Sequence, residues 1–322
     1  MIAMDKPVKI GDRGVVGGAA GTRPLADIKQ GSEDALISMR PWNSIIYGIP
    51  PRVKKIPTML TDEEGRMLRW IAEFDYQGVG AICELGTFVG GSTARLAYGL
   101  SLNKRSSSPI HCFDRYECAE NMKPELLYKH GIEPFEGQDI LPISKNMLKE
   151  FTDLLRFHKC NILDVRWADG PIEFLFIDIM KTVEISNHVG RTFFPHLIPG
   201  RSLLVQQDYF HFRNPWIVAQ MELLRDHFDL LAYTESNSAI FRCVKEVTPD
   251  SLRETSWSNL SLDHRDQLLK EATRRFPYLR QREFIAECRR SARCNPNATA
   301  AWQIKLGPAS RAVLDEHLVQ IV

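Results

Sequence analysis

Between residues 81 and 245 of this 322-residue chain, short apolar runs alternate with segments of helical pattern. The runs cover 81–85, 110–113, 160–163, 172–179 and 202–205. The helical segments cover 92–100, 143–157, 183–197 (closed by Pro199-Gly200) and 216–228. Strands that alternate with helices are joined by crossovers, and crossover-linked strands pair in parallel. Two last runs, near 229–234 and 238–245, are close enough in sequence to form an antiparallel hairpin at one edge. The expectation is an α/β fold with a doubly wound, mostly parallel sheet.

Residues 1–35, with a glycine-rich stretch at 11–21, read as a mobile arm, because no apolar strand precedes the glycines and no helix pattern follows. Residues 41–58 are irregular and apolar, suited to packing on the main body or on a partner subunit, which makes a homodimer a candidate. Thr61 and Glu64 form a capping box. The helix it opens runs to about Tyr76, buries Met67, Leu68, Ile71 and Phe74, and stops at Gly78 and Gly80. After Thr248 the chain turns charged and helical, over 262–291 and 308–320. Seven arginines there (274, 275, 280, 282, 289, 290 and 293) read as a solvated helical face. The division expected is 1–58, an arm and packing segment; 59–248, the α/β domain; and 249–322, a helical extension.

Hydrophobic residues make up 44% of the chain and charged residues 25%, enough to build a core and to argue against wholesale disorder. Forty-one basic residues face forty acidic ones, so the charge is +1, against a nucleic-acid partner. Seven cysteines carry no CxxC spacing, so they read as reduced, packed thiols of a cytoplasmic protein rather than as zinc ligands. The first 30 residues lack the apolar core of a signal peptide, and no run is long enough to span a bilayer, so no membrane partner is expected.

The richest segment follows the first strand: Glu84, Leu85, Gly86, Thr87, Phe88, Val89, Gly90, Gly91, Ser92, Thr93. A strand delivers Glu84 and Gly86 to the carboxyl edge of the sheet. Gly86 permits a tight turn and close approach of a ligand, while Gly90 and Gly91 let the next helix start against the strand. Amides at that helix start suit a carboxylate or another polar group. Thr87 and Phe88 stand where a GxGxxG loop needs glycine, and no Lys-Ser/Thr follows as in a P-loop, so a pyrophosphate ligand is disfavoured. An acid at 84 would repel phosphate but suits a cationic ligand. Asp114, at the end of the second strand, is placed to accept hydrogen bonds from a ribose diol.

The segment ELGTFVGGSTARLA resembles the first motif of class I S-adenosylmethionine-dependent methyltransferases, in the branch with macrolide-sugar O-methyltransferases and cephalosporin-hydroxylase-like proteins. The resemblance runs over roughly residues 60–245 and implies a Rossmann-like seven-stranded sheet with an antiparallel edge. It implies S-adenosylmethionine as cofactor. Glu84, Gly86, Thr87, Phe88, Gly90, Gly91 and Ser92 would lie around its methionine end, Asp114 at its ribose, Asn161 to Asp164 near its adenine, and Asp178 beside it.

Two further strand ends carry acids, Asp178 and, in Gln206-Gln207-Asp208, Asp208. Both are expected to face one crevice, since ligands of open α/β sheets bind outside the carboxyl ends of the strands. Asp178, Asp208 and the amide of Gln207 suit a hard ion such as Mg²⁺. An acceptor hydroxyl is a poor nucleophile until its proton is removed, and Lys181 is a candidate base if its pKa is lowered. His211 is a second candidate base or ligand, against a structural reading. The spacing Asp178-x-x-Lys181 resembles the catechol-type motif, in which the acid binds Mg²⁺ and the lysine is the base. The chain departs from its relatives at the second acid. Aligned on Tyr209, Gln207 replaces one acid; aligned on Pro199-Gly200, both become glutamine.

The expected function is methyl transfer from S-adenosylmethionine to a hydroxylated small molecule, such as a sugar or a secondary metabolite. Two rivals stand beside it: a methyltransferase-like binding or scaffold protein without turnover, and a nucleotide-dependent oxidoreductase.

Overall fold

The computed structural model describes residues 25–105 and 108–305. The glycine-rich stretch at 11–21 and the helix expected at 308–320 lie outside the described residues.

Ten α-helices and seven strands occur among them. In chain order they are α1 (Leu25–Ser38), α2 (Pro51–Lys54), α3 (Asp62–Trp70), β1 (Ala81–Leu85), α4 (Gly91–Leu102), β2 (Ile110–Asp114), α5 (Lys123–Leu126), α6 (Leu141–Met147) and β3 (Leu155–Lys159). Then follow β4 (Ile172–Ile177), α7 (Val183–Phe193), β5 (Leu203–Gln206), α8 (Pro215–Leu223), β6 (Phe228–Tyr233), β7 (Ala239–Cys243), α9 (Leu262–Arg274) and α10 (Leu279–Cys294).

One sheet holds all seven strands in the order β3-β2-β1-β4-β5-β7-β6. The first five pair in parallel, and β7 runs antiparallel to both β5 and β6. This is the doubly wound sheet with an antiparallel edge that the alternation requires. Side chains alternate across it with a period of two. Phe174 and Phe176 of β4 pack with Met67, Leu68, Ala94 and Leu96 of α3 and α4 on one face. Leu175 and Ile177 pack with Val189, Phe193, Trp216 and Ile217 of α7 and α8 on the other. With both faces covered, β4 is apolar throughout.

The structure corrects several expected elements. Residues 25–35 are not arm but part of α1. Its Asp34 pairs with Arg242 (2.9 Å), its Glu33 with Arg201 (3.4 Å), and its Ile37 is fully buried. The helix expected at 143–157 ends at Met147, and a 3₁₀ segment, Lys149–Leu154, leads into β3. The strand expected at 160–163 is therefore one strand-length earlier. Leu155-Arg156-Phe157-His158-Lys159 pairs with Ile110 to Asp114, and the alternation of this edge strand was masked by its polar residues. The capping box at Thr61 and Glu64 is present. A π-turn at Ile71–Asp75 then advances the helix face, so Phe74 is 41% exposed where burial was expected, with Met67, Leu68 and Ile71 buried as anticipated. Helix α8 stops at Leu223, and Phe228 opens β6 instead of closing the helix.

Residues 262–294 form two helices parted at Phe276-Pro277 that pack on each other and on α8, and their Leu268, Leu269, Phe276, Ile285 and Cys288 join the main apolar core. Their arginines are largely paired. Arg289 and Arg293 both bind Asp266, Arg290 binds Glu287, and Arg275 binds Glu222. All seven cysteines are free thiols. No helix among the described residues is long and apolar enough to cross a membrane.

Candidate functional site

The carboxyl ends of β2, β1, β4 and β5 lie side by side, and backbone bonds carry the pairing one residue beyond the strands. Gly86 N donates to Phe113 O (2.9 Å), Asp178 N to Leu85 O (2.8 Å) and Gln207 N to Ile177 O (3.0 Å). Gly86, Asp114, Asp178 and Asp208 thus share one edge.

The glycine loop is built from conformations that few other residues allow. Gly86 has φ +101°, and a Cβ there would lie 2.7 Å from Ile179 Cγ2 and 2.8 Å from Asp178 O. Gly90 also has a positive φ, and a Cβ at Gly91 would meet Pro57 O at 2.3 Å, so the segment before α3 lies directly on the start of α4. Phe88 takes a left-handed φ of 52°. Asp114 holds the loop in this shape. Its Oδ2 accepts from Thr87 N (2.9 Å) and Phe88 N (2.8 Å), and its Oδ1 from Tyr116 N (2.6 Å). The expected ribose acid is thus also the anchor of the loop beside it. Residues 116–141 fold back over this loop, with Tyr116, Leu127, Ile132 and Ile140 packed around Val89.

Glu84 is fully buried and accepts from Thr93 Oγ1 at 2.5 Å; its Oε1 has no partner. Burial raises its pKa to about 7 against the Ser92 and Thr93 hydroxyls, and the charges of Asp114 and Asp178 push the same way. The hydroxyl of Thr87 is likewise buried without a partner. Asp164 sits exposed in the 3₁₀ turn Ile162–Asp164, whose cap is Asn161, just beyond the end of β3.

At β4 and β5 three expected residues meet. Lys181 Nζ contacts Asp178 Oδ1 (3.1 Å) and Asp208 Oδ2. Asp208 has φ +65°, a left-handed conformation that Asp tolerates better than most residues. Burial pulls the Lys181 pKa down, but Asp178 and Asp208 outweigh it and the net direction is up. Asp178 is pushed up by burial and by Asp208, with Lys181 opposing. Two carboxylates thus face one ammonium, which leaves the cluster short of positive charge.

His211 lies beside this cluster. Burial lowers its pKa, the Asp208 charge opposes, and Lys181 and Arg213 lower it further, so the ring is neutral near pH 7. Its Nδ1 accepts from Arg213 N (3.2 Å), which puts the proton on Nε2.

Asn214 was not anticipated. It is almost fully buried, and its Nδ2 donates to Asp208 Oδ2 (3.2 Å), while its Oδ1 has no partner. The pair Asn214-Pro215 is a helix-start signal. Asn214 does stand at the cap of α8, but its side chain turns to Asp208 instead of capping.

The donors expected for a metal are Asp178, Asp208 and Gln207. No group of three or more His, Cys, Asp and Glu side chains disposed to hold a metal occurs among the described residues. The fit to a hard cation rests on the two carboxylates and on Gln207 Oε1, which is buried without a partner.

No family model matches the chain, and no curated protein matches its sequence. Solved structures resemble it at low identity. The O-methyltransferase NovP is 11% identical, with 67% of this chain and all of that one covered at a TM-score of 0.45. CalS11, a TDP-rhamnose 3'-O-methyltransferase of calicheamicin biosynthesis, is 15% identical, with 66% and 93% covered at 0.40. An rRNA methylase from Streptococcus thermophilus is 13% identical, with 56% and 95% covered at 0.38. The strand order, rather than these scores, is what gives the chain the Rossmann-like fold expected of a class I methyltransferase.

Proposed function

We propose that the protein is an S-adenosylmethionine-dependent methyltransferase acting on a hydroxyl of a small molecule, a sugar or a secondary metabolite. The observation that carries this reading is the single edge holding an acid-anchored glycine loop and, two strands along, the cluster of Asp178, Lys181 and Asp208. The loop suits a ligand that comes close to Gly86 and carries positive charge toward Glu84. A sulfonium with an ammonium meets both conditions; a dinucleotide meets neither.

In this reading residues 86–92 and Glu84 receive the methionine end of the cofactor. Asp114 takes the ribose hydroxyls while keeping the loop amides, and Asn161 to Asp164 flank the adenine. Asp178, Asp208 and Gln207 are the residues that would hold a divalent cation such as Mg²⁺. Such an ion would polarise the acceptor hydroxyl and relieve Lys181 of the carboxylates that raise its pKa. Lys181 is the residue that would take the hydroxyl proton as the oxygen attacks the methyl carbon and the C–S electron pair leaves with the sulfur of S-adenosylhomocysteine. His211 donates a hydrogen bond from Nε2, and Asn214 keeps Asp208 in place. A binding protein without turnover is the rival reading, which Gln206 and Gln207 favour and which turnover separates from this one.

Free thiols throughout support a cytoplasmic site of action. The exposed Met39, Ile45 and Ile46 support a homodimer, which sedimentation velocity would detect.

The test is methyl transfer from radiolabelled S-adenosylmethionine across a panel of sugar and phenolic acceptors, with Mg²⁺ and with chelator. Turnover that falls about 100-fold or more in Lys181→Met, with cofactor affinity kept, supports the lysine as base. Full turnover in that variant would remove Lys181 from the chemistry, and cofactor binding without turnover on any acceptor would favour the binding-protein rival.

A further inference from the structure

The second half of α7 borders a further cavity. This cavity, of about 410 Å³, is lined by Arg166, Trp167, His188, Arg191, Thr192 and His196. His188, Arg191 and Thr192 are three and four residues apart and so share one face of the helix. Arg166 and Trp167 face them from the segment between β3 and β4, and His196 closes the end from the 3₁₀ turn Phe194–His196.

We propose that this cleft is a second ligand site, taking the phosphate or polyphosphate group of a small molecule. Every ionisable side chain lining it is a guanidinium or an imidazole, and no carboxylate is among them. Guanidinium groups stay charged and present forked donors that match phosphate oxygens. Arg166 is braced for this, since its Nη1 donates to Val165 O (2.9 Å) and Leu163 O (3.4 Å). The Thr192 hydroxyl lies 3.1 Å from His188 Nε2, which gives the wall a polar pair beside Arg191. Trp167 is buried, and its indole N–H is taken by Gly170 O (2.7 Å), so it serves as an apolar floor. Burial holds His188 below its ordinary pKa; its bond to Val165 O (3.2 Å) opposes this and the two arginines add to it. Like charges gathered without a counter-charge repel one another, and an oxyanion in their midst reverses that repulsion.

The concavity decides the class of ligand. An extended polyanion such as RNA needs a basic stripe, whereas these groups converge on one hollow of a chain whose formal charge is only +1. His188 lies five residues into α7 and Arg166 two residues past Asp164, so the cleft borders the segment that the proposed function sets beside the adenine. The proposal rests on the lining of this cleft and not on the methyltransferase reading.

The experiment is calorimetric titration of the full-length protein with inorganic pyrophosphate and with ADP, at constant ionic strength set by chloride. Saturable one-to-one binding is expected, at least tenfold weaker in the double variant Arg166→Gln, Arg191→Gln, and unaltered in Asp178→Asn. Equal affinities would assign recognition to the phosphates alone, and tighter ADP binding unchanged by excess S-adenosylhomocysteine would add the nucleoside; both uphold the site, whereas ADP displaced by S-adenosylhomocysteine would place it at the cofactor's edge and count against the proposal. The single variant Arg191→Glu, checked by its thermal midpoint, covers the case in which the double variant is unfolded. No saturable binding up to about 10 mM, or binding that ignores the arginine substitutions, would overturn the proposal.

Discussion

Gly86 combines a positive φ with backbone and side-chain atoms closer than a Cβ allows. Gly86→Ala should therefore cost about 1–3 kcal/mol in stability from conformation alone and deform the edge against Asp178, which urea denaturation would measure. Asp114→Asn should loosen the loop, because an amide offers one acceptor where the carboxylate now serves three backbone N–H groups. Hydrogen bonds to charged groups contribute about 1.5–3 kcal/mol, so affinity for S-adenosylhomocysteine should fall roughly 10- to 100-fold with the fold intact.

Glu84 gives a pH signature. Its folded pKa of about 7 lies above the ordinary carboxylate value of 4.5, so the native state binds more protons than the unfolded chain between these limits. Stability from this group is present below the unfolded pKa and declines as pH rises through the window from 4.5 to about 7. Glu84→Gln should flatten the decline of thermal midpoint over that window, and an unchanged slope would show that another group causes it.

These residues were legible because glycines and acids at strand ends have few structural reasons to cluster. Asn214 was not, since its partner Asp208 reaches it only through a left-handed backbone turn that no local pattern announces.

At the scale of elements, the parallel strands β1, β2, β4 and β5 declared themselves by continuous apolar runs. β3 did not. It lies at the sheet edge, and Arg156, His158 and Lys159 break its apolar pattern, which pushed the expected strand into the next apolar stretch. Helix α1 was also hidden, because what fixes it is an ion-pair network with residues about 200 positions away in sequence. Arg242 is fully buried and pairs with Asp34 (2.9 Å) and Asp75 (3.5 Å), and Arg201 pairs with Asp75 (3.0 Å) and Glu173 (2.8 Å). Removing one partner of a buried pair leaves the other charge without compensation, at about 3–5 kcal/mol. Arg242→Met should lower the urea midpoint accordingly and raise the protease sensitivity of α1. A variant as stable as the parent would mean that the apolar contacts of Ile37 hold the helix unaided.

At the scale of the whole molecule, the carboxyl edge carries the glycine loop, Asp114 and the cluster of Asp178, Lys181, Asp208 and Asn214, while the hollow with Arg166 and Arg191 lies between α7 and the segment that joins β3 to β4. Helices α9 and α10, the helical extension, pack on α8 and join the same apolar core, so shortening the chain before α9 should uncover part of that core and lower the stability of the sheet.

The central claim is that the edge at Gly86 and Asp114 holds S-adenosylmethionine, and calorimetric titration of the full-length protein with S-adenosylhomocysteine tests it most directly. The account predicts saturable one-to-one binding that weakens at least tenfold in Asp114→Asn and is not matched by NADH. A folded protein that fails to bind S-adenosylhomocysteine at millimolar concentration, or that binds NADH in its place, would contradict it.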